Sequence, residues 1–325
     1  MTGALGAAAV HEIHRVRADL EEAGLTAGIL VRDLGTGLEA GIDPGLELPV
    51  ASLAKVPVAL ATLERIRRGE LDAGSTVVVE PGRASAPGPP GITRFRHRAV
   101  VALEDLLYLA VSLSDSSACD ALLDLTPPAR VGEVLRELGV ADLEVRHGLT
   151  ELGETPAEAL EHLRPGLGHA FAAAATTAHG GSALRWLDVS VSTTASARTY
   201  ADLLTAVWRE EGIDAGVAAR LRGLLAANVH RQRLAPEFER DASTWSSKTG
   251  TVLTLRHEAG VVEHADGGRF VVAVLSRSDV PAGVQPAAEI ALGRAARRLH
   301  DLVRRAGVPT GARGRAGQSR SSGVR

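Results

Sequence analysis

A mixed α/β (α+β) fold is what the sequence predicts, with one domain assembled from both chain ends and an all-helical insertion between them. Three observations lead there. A helical segment and two strand-like runs open the chain, several strand-like runs and a helix close it, and the long middle reads as helix. Gly35 and Gly37 supply a turn that folds the first two runs into a hairpin. The chain has 325 residues, 45% hydrophobic and 23% charged, which is ample for a large core without covalent staples. The expected division is 1–50 with 213–308 as the mixed domain and 51–212 as the helical domain, followed by a disordered tail over 309–325.

Each element has its own signal. Over 6–23, Ala9, Ile13, Val16 and Leu20 share one helical face. Runs 26–33 and 37–42 form the hairpin, and a helix over 52–69 begins at Ser52. The Pro/Gly-rich stretch 81–91 reads as a loop. Helices follow over 103–112, 116–125 and 129–138, the last stopped by Gly139, then over 199–210 and 215–227. Runs 243–248, 252–257, 259–264 and 269–276 read as four strands, and 286–305 as the final helix. The low-complexity stretch 170–183 is a surface insertion or a short lid helix. The Gly/Ser/Arg-rich tail reads as solvated.

Composition excludes several functions. A net charge of −3 gives no basis for bulk nucleic-acid binding. The single cysteine, Cys119, excludes an internal disulfide framework and a cysteine zinc cage, and reads as a core residue. No run reaches the roughly 18 apolar residues of a membrane span. The N-terminus lacks a basic region, and His11, Glu12 and His14 interrupt its apolar stretch, so the expectation is a cytoplasmic protein. His11 and His14 lie one helical turn apart without a third ligand at metal-binding spacing, so the histidines are expected to be solvent-exposed. No phosphate-binding loop is present, and neither cofactor nor metal is expected.

The charge inventory is uneven: of 36 lysines plus arginines, only Lys55 and Lys248 are lysine. Arginine serves for surface charge, but it cannot give up its proton, so a site needing a neutral amine must keep lysine. Lys55 closes Ser52-Leu53-Ala54-Lys55 at a helix start. Residues three apart share a helical face, so a neutral Lys55 can act as base for Ser52. The alternative for Ser52 is a helix N-cap. Ser114-Asp115-Ser116 falls between two helices, and Lys248-Thr249-Gly250 falls on a strand where the glycine allows a ligand to approach.

In this order the three motifs resemble the S-x-x-K, S-D-N and K-T-G elements of the serine β-lactamase and penicillin-binding-protein superfamily, most closely its class A branch. The resemblance covers about residues 25–305 and implies a β-lactamase-like fold: an antiparallel sheet flanked by terminal helices, plus an all-helical domain. It implies Ser52 as the acylated nucleophile, Lys55 as its base or proton relay, and Ser114 as proton donor to the leaving group. Ser116 stands where the family has asparagine, and serine brings no amide. Lys248 would supply positive potential and Thr249 a hydrogen bond to a substrate carboxylate. The backbone N–H groups of Ser52 and Thr251 would form the oxyanion hole. Gly250 belongs to the same substrate-binding set. Arg256 would reinforce carboxylate binding or stand as an exposed strand arginine. The partner is a small molecule bearing a carboxylate.

One element departs from the family. Class A enzymes deacylate with a loop glutamate in a pattern like E-x-E-L-N, and here the matching stretch is Leu149-Thr150-Glu151-Leu152-Gly153. Leu149 then takes the glutamate's place and cannot activate water. A register shift of two puts Glu151 there instead, with Glu154 and Asp188 as further candidates. The stretch between Ser114 and Lys248 is also longer than the family's by roughly thirty residues. The loop about 144–192 therefore reads as altered. Three functions remain open. One is a serine hydrolase that acylates Ser52 with an amide, ester or β-lactam and has impaired or rerouted deacylation. Another is a true class A-like β-lactamase using Glu151 or another loop carboxylate. The third is a non-catalytic ligand-binding homologue.

Overall fold

The computed structural model describes residues 6–81, 90–140, 143–149, 167–174, 182, 184–280 and 284–307. Helix α1 (Ala7–Glu22) leads into β1 (Leu25–Asp33), β2 (Glu39–Ile42) and the short β3 (Leu48–Pro49). A 3-10 turn (Ala51–Ala54) runs directly into α2 (Lys55–Arg67). Strands β4 (Thr76–Val79) and β5 (Ala99–Ala102) precede α3 (Leu103–Ser112), α4 (Ser116–Leu125) and α5 (Pro128–Glu137). Helix α6 (Leu167–Ala174), strand β6 (Thr194–Ala195), and helices α7 (Ala197–Arg209), α8 (Ala215–Ala226) and α9 (Ala235–Phe238) follow. Strands β7 (Ser243–Val252), β8 (Leu255–His264) and β9 (Arg269–Ser278) lead to the last helix, α10 (Pro286–Gly307).

The main sheet is antiparallel with strand order β2-β1-β9-β8-β7, so the N-terminal hairpin docks on a C-terminal strand. Strand β9 is apolar almost throughout because both its faces are covered. Val271, Ala273 and Leu275 join the larger core shared with α2–α5, α7 and α8. Phe270, Val272 and Val274 alternate to the other face, where they meet Val16 and Leu20 of α1 and Leu292, Leu299 and Val303 of α10. This is the β-lactamase-like arrangement that the motifs implied: an antiparallel sheet with terminal helices on one face and a helical body on the other.

Several expectations change in detail. The last sheet has three long C-terminal strands, not four: 252–257 and 259–264 are not separate, and β8 runs unbroken from Leu255. One turn at 253–254 replaces the breaks expected at 249–251 and 258, and Leu253 adopts φ 48° without a glycine to announce it. A two-stranded ladder, β4 with β5, flanks the expected loop, whose residues 82–89 lie outside the described set, as does the tail 308–325. The low-complexity stretch begins inside a helix, α6.

The histidines also differ from expectation. His11 and His14 are exposed, but His147, His257 and His300 are buried. His300 Nε2 lies 3.1 Å from His264 Nε2, so one ring must donate and the other accept. Phe238 and Phe270 pack edge-on against His300. Burial pushes His300 down to about 4 and His257 down to about 3. Such groups favour the fold fully above the unfolded histidine value of about 6.5, and that stability is lost as pH falls toward the folded values. Urea midpoints should therefore drop between pH 6.5 and 4. His300→Gln should remove on the order of 3 kcal/mol of that drop, measured as the difference between the two pH profiles.

Candidate active site

The bend carrying Ser52 is assembled from distant parts of the chain. Strand β3 pairs with β6, and the Val50 N–H donates to the Thr193 carbonyl at 2.9 Å. Ala51 then turns into the left-handed region at φ 49°, a conformation alanine adopts only when its surroundings impose it. Ser52 follows inside the 3-10 turn and makes no capping bond, so the N-cap alternative falls; the α-helix proper starts at Lys55. Gly250 of β7 crosses close behind. A Cβ there would lie 2.9 Å from the Val50 carbonyl oxygen and 3.3 Å from the Leu53 nitrogen. The expected use of Gly250, room for a ligand, is thus preceded by a need of the chain's own backbone.

Ser114 also sits in the left-handed region, at φ 65°. The next residue, Asp115, is fully buried and explains how the turn holds. Its carboxylate caps α4 through Ala118 N at 3.3 Å, accepts from Thr93 Oγ1 at 2.5 Å, and also accepts from Ile92 N. Thr93 Oγ1 in turn accepts from Ser116 N at 3.2 Å and Ser117 N at 3.1 Å. The aspartate of the middle triplet is therefore a structural pin.

Both lysines converge on this turn. Lys55 Nζ donates to Ser52 Oγ at 3.2 Å, the Ser114 carbonyl at 2.5 Å, Ser114 Oγ at 3.3 Å and Ser116 Oγ at 3.3 Å. Lys248 Nζ donates to Ser114 Oγ and the Thr249 carbonyl, each at 2.9 Å. Both lysines are fully buried, and among the described residues neither ammonium forms an ion pair. Burial pulls Lys55 down to about 8, opposed by the charges of Asp115 and Asp120. Lys248 is pushed well below the ordinary lysine value, by burial first and by Lys55 next.

Ser52, Lys55, Ser114, Ser116 and Lys248 thus meet through one another, and Ser116 reaches Lys55 despite its short side chain. Thr249 is buried beside Lys248, and Thr251 Oγ1 accepts from Arg233 Nη2 at 3.1 Å. Arg256 is only 1% exposed, which overturns the exposed-arginine alternative. Its guanidinium donates to the Leu253 carbonyl at 3.0 Å and stands 4.0 Å from Glu289. Leu149 is buried in the larger core, and its N–H donates to Asp120 Oδ1 at 2.5 Å. Asp188 is held in a turn by Ser190 N and Ser190 Oγ. Glu151, Gly153 and Glu154 lie outside the described residues.

Sequence reasoning missed four residues. Arg233 is buried behind β7, donates to the Gly250 carbonyl at 3.4 Å and pairs with Glu289. Glu258 is a buried carboxylate that accepts from Leu234 N and Trp245 Nε1 at 2.8 Å and Ser247 Oγ at 2.7 Å. Burial raises its pKa. Asp120 and His257 complete the set. Only the i,i+4 step from Ser116 to Asp120 was available as a sequence signal. Among the described residues, no group of three or more His, Cys, Asp or Glu is placed to hold a metal. No described helix is long and apolar enough to cross a membrane.

The family match and the fold together place the chain in the class of the serine β-lactamases and penicillin-binding proteins. The chain belongs to the Beta-lactamase enzyme family, whose sequence model matches residues 10–303. It is 53% identical over 303 residues to "Beta-lactamase regulatory protein BlaB" of Streptomyces cacaoi, covering 90% of this chain and 97% of that one. Among solved structures it resembles PBP-A (TM-score 0.70, 17% identity, 91% of this chain and 96% of that one). A PBP-A variant in acyl-enzyme complex with penicillin G superposes equally well, with TM-score 0.70, 17% identity, and 91% and 97% coverage. The β-lactamase of Sphaerobacter thermophilus gives TM-score 0.69 at 21% identity, covering 92% and 98%.

Gly250→Ala should lower stability by about 1–3 kcal/mol, because its methyl group meets backbone at Val50 and Leu53 that cannot rotate away. A thermal melt beside wild type checks this.

Proposed function

We propose that this chain is a serine hydrolase that takes an amide, ester or β-lactam carbonyl onto Ser52 and releases it slowly. The observation carrying the reading is the 3.2 Å contact between Ser52 Oγ and a fully buried Lys55 whose pKa lies at about 8. An amine so placed is neutral in a useful fraction near pH 7 to 8 and serves as the base that a serine nucleophile needs.

In this reading Lys55 accepts the Ser52 proton as Oγ attacks the carbonyl carbon. The oxyanion is held between the backbone N–H groups of Ser52 and Thr251. As the carbon–leaving-group bond breaks, Ser114 passes its proton to the departing atom and is reprotonated through the two lysines that touch it. Lys248 and Thr249 take the substrate carboxylate, Gly250 sets their strand in place, and Ser116 fills the asparagine's position beside Lys55. Arg256 adds positive potential behind the strand, as does Arg233. Leu149 offers no base for water, which makes the acyl-enzyme long-lived.

The relative at 53% identity carries the name of a regulatory protein, which favours a second reading: the cleft captures its ligand and signals rather than clears it. Retention of lysine at 55 and 248 in an arginine-dominated chain argues that proton transfer is still required.

Intact-protein mass after brief exposure to a penicillin and a cephalosporin should show a lasting adduct on wild type and none on Ser52→Ala. Drug consumed without an adduct, and spared by Glu151→Gln, would instead place a working base on the loop. Drug left untouched would favour reversible binding. The acylation rate should rise with pH through about 8 and then level, since Lys55 is the base only when neutral. Lys55→Arg should cost at least ~10²-fold in that rate.

A further inference from the structure

We infer that His257 is a positioning residue for Ser52: its imidazole ties the Pro49 carbonyl to strand β9 and so holds the left-handed turn that presents the serine hydroxyl. This rests on the proposed role of Ser52 as nucleophile and adds a residue that no motif contains.

His257 is fully buried on β8. Its Nε2 lies 2.8 Å from the Pro49 carbonyl oxygen, and the Ser276 N–H meets its Nδ1 at 3.0 Å. A carbonyl only accepts and a backbone N–H only donates, so these two bonds fix one neutral tautomer with the proton on Nε2. An imidazolium would set two N–H groups against each other at Ser276. Burial and the neighbouring Arg233 and Arg256 also disfavour the charged ring.

The strap is placed where strain must be held. Two residues, Val50 and Ala51, separate Pro49 from Ser52, and Ala51 is left-handed. Strand β3 has only two residues, so its ladder with β6 supplies little restraint. Further ties on the residues before Ser52 include Val50 N to the Thr193 carbonyl at 2.9 Å, Leu53 N to the Val50 carbonyl at 3.1 Å, and the His257 bond. His257 is also the register partner of Gly250, the residue that approaches the Val50 carbonyl from β7. Its own carbonyl accepts from Arg233. One buried ring therefore connects β8, β9 and the bend in front of Ser52. Losing its Nε2 donor leaves the Pro49 carbonyl without that bond and frees the turn to relax. Ser52 then moves away from Lys55, and displacements of about 1 Å at such a centre can cost ~10²-fold.

Two substitutions separate this role from general stability. The amide nitrogen of His257→Gln reaches the place of Nε2 and can keep the Pro49 bond. The amide of His257→Asn reaches only as far as Nδ1 and cannot. With benzylpenicillin as the probe, His257→Asn should acylate roughly 10–100-fold more slowly than wild type, and His257→Gln within about threefold of it. Hydrogen exchange of a peptide spanning 49–55, below both melting transitions, should quicken in the Asn variant only. Equal behaviour of the two variants, in rate and exchange, overturns the inference. If wild type forms no penicillin adduct, the role of Ser52 fails and the exchange comparison alone decides the strap. Should the Asn variant not fold, imidazole nitrogen shifts of the wild-type ring decide it. A neutral Nε2–H tautomer at pH 7 is expected, and an Nδ1–H tautomer or a charged ring overturns the inference.

Discussion

Two primary amines buried in one place are the constraint on which the rest of the site depends. Taking an ammonium out of water is expensive, and taking two into the same pocket adds their repulsion. The described surroundings of Lys55 and Lys248 answer with serine hydroxyls and backbone carbonyls rather than a carboxylate in contact. A carboxylate against either amine would hold it charged. The carboxylates that act on Lys55 stand one step back, at Asp115, which is saturated by donors of its own, and at Asp120, and Glu258 acts likewise on Lys248. The amines are thus kept solvated by weak dipoles and poised to exchange protons.

The sheet provides the rigidity that such a pocket needs. Strand β7 brings Lys248 to Ser114 and, two residues later, lays Gly250 against the backbone before Ser52. Behind it, Arg233 and Glu289 join β7 to α10, and Glu258 gathers Leu234, Trp245 and Ser247. These buried polar groups are satisfied by one another, the condition under which a polar network stiffens a core instead of weakening it.

Much of this was legible in the sequence because it rests on local pattern. The three-residue step from Ser52 to Lys55, the break between helices at Ser114 and the scarcity of lysine each stand out without a partner in view. The alternating apolar runs made the sheet and the helical body readable. What could not be read depends on partners far apart in the chain. Ala51 and Leu253 have no local reason for positive φ, and His257 owes its bond to a carbonyl 208 residues away. Arg233 was one arginine among many until its partners Glu289 and Thr251 came beside it. A single turn at Leu253 replaces the two breaks expected at 249–251 and at 258, and no glycine or proline marks it.

The sheet order carries a consequence for how the molecule is made. Strand β1 finds its inner neighbour only in β9, and the bend at Ser52 is braced by β7, β8 and the stretch before β6. A ribosome therefore releases Ser52 long before it releases the strands that brace its bend. Pairings of such long sequence separation close late in folding. The chain emerges with this bend unbraced, and the site around Ser52 takes its shape only when the two ends of the polypeptide have met.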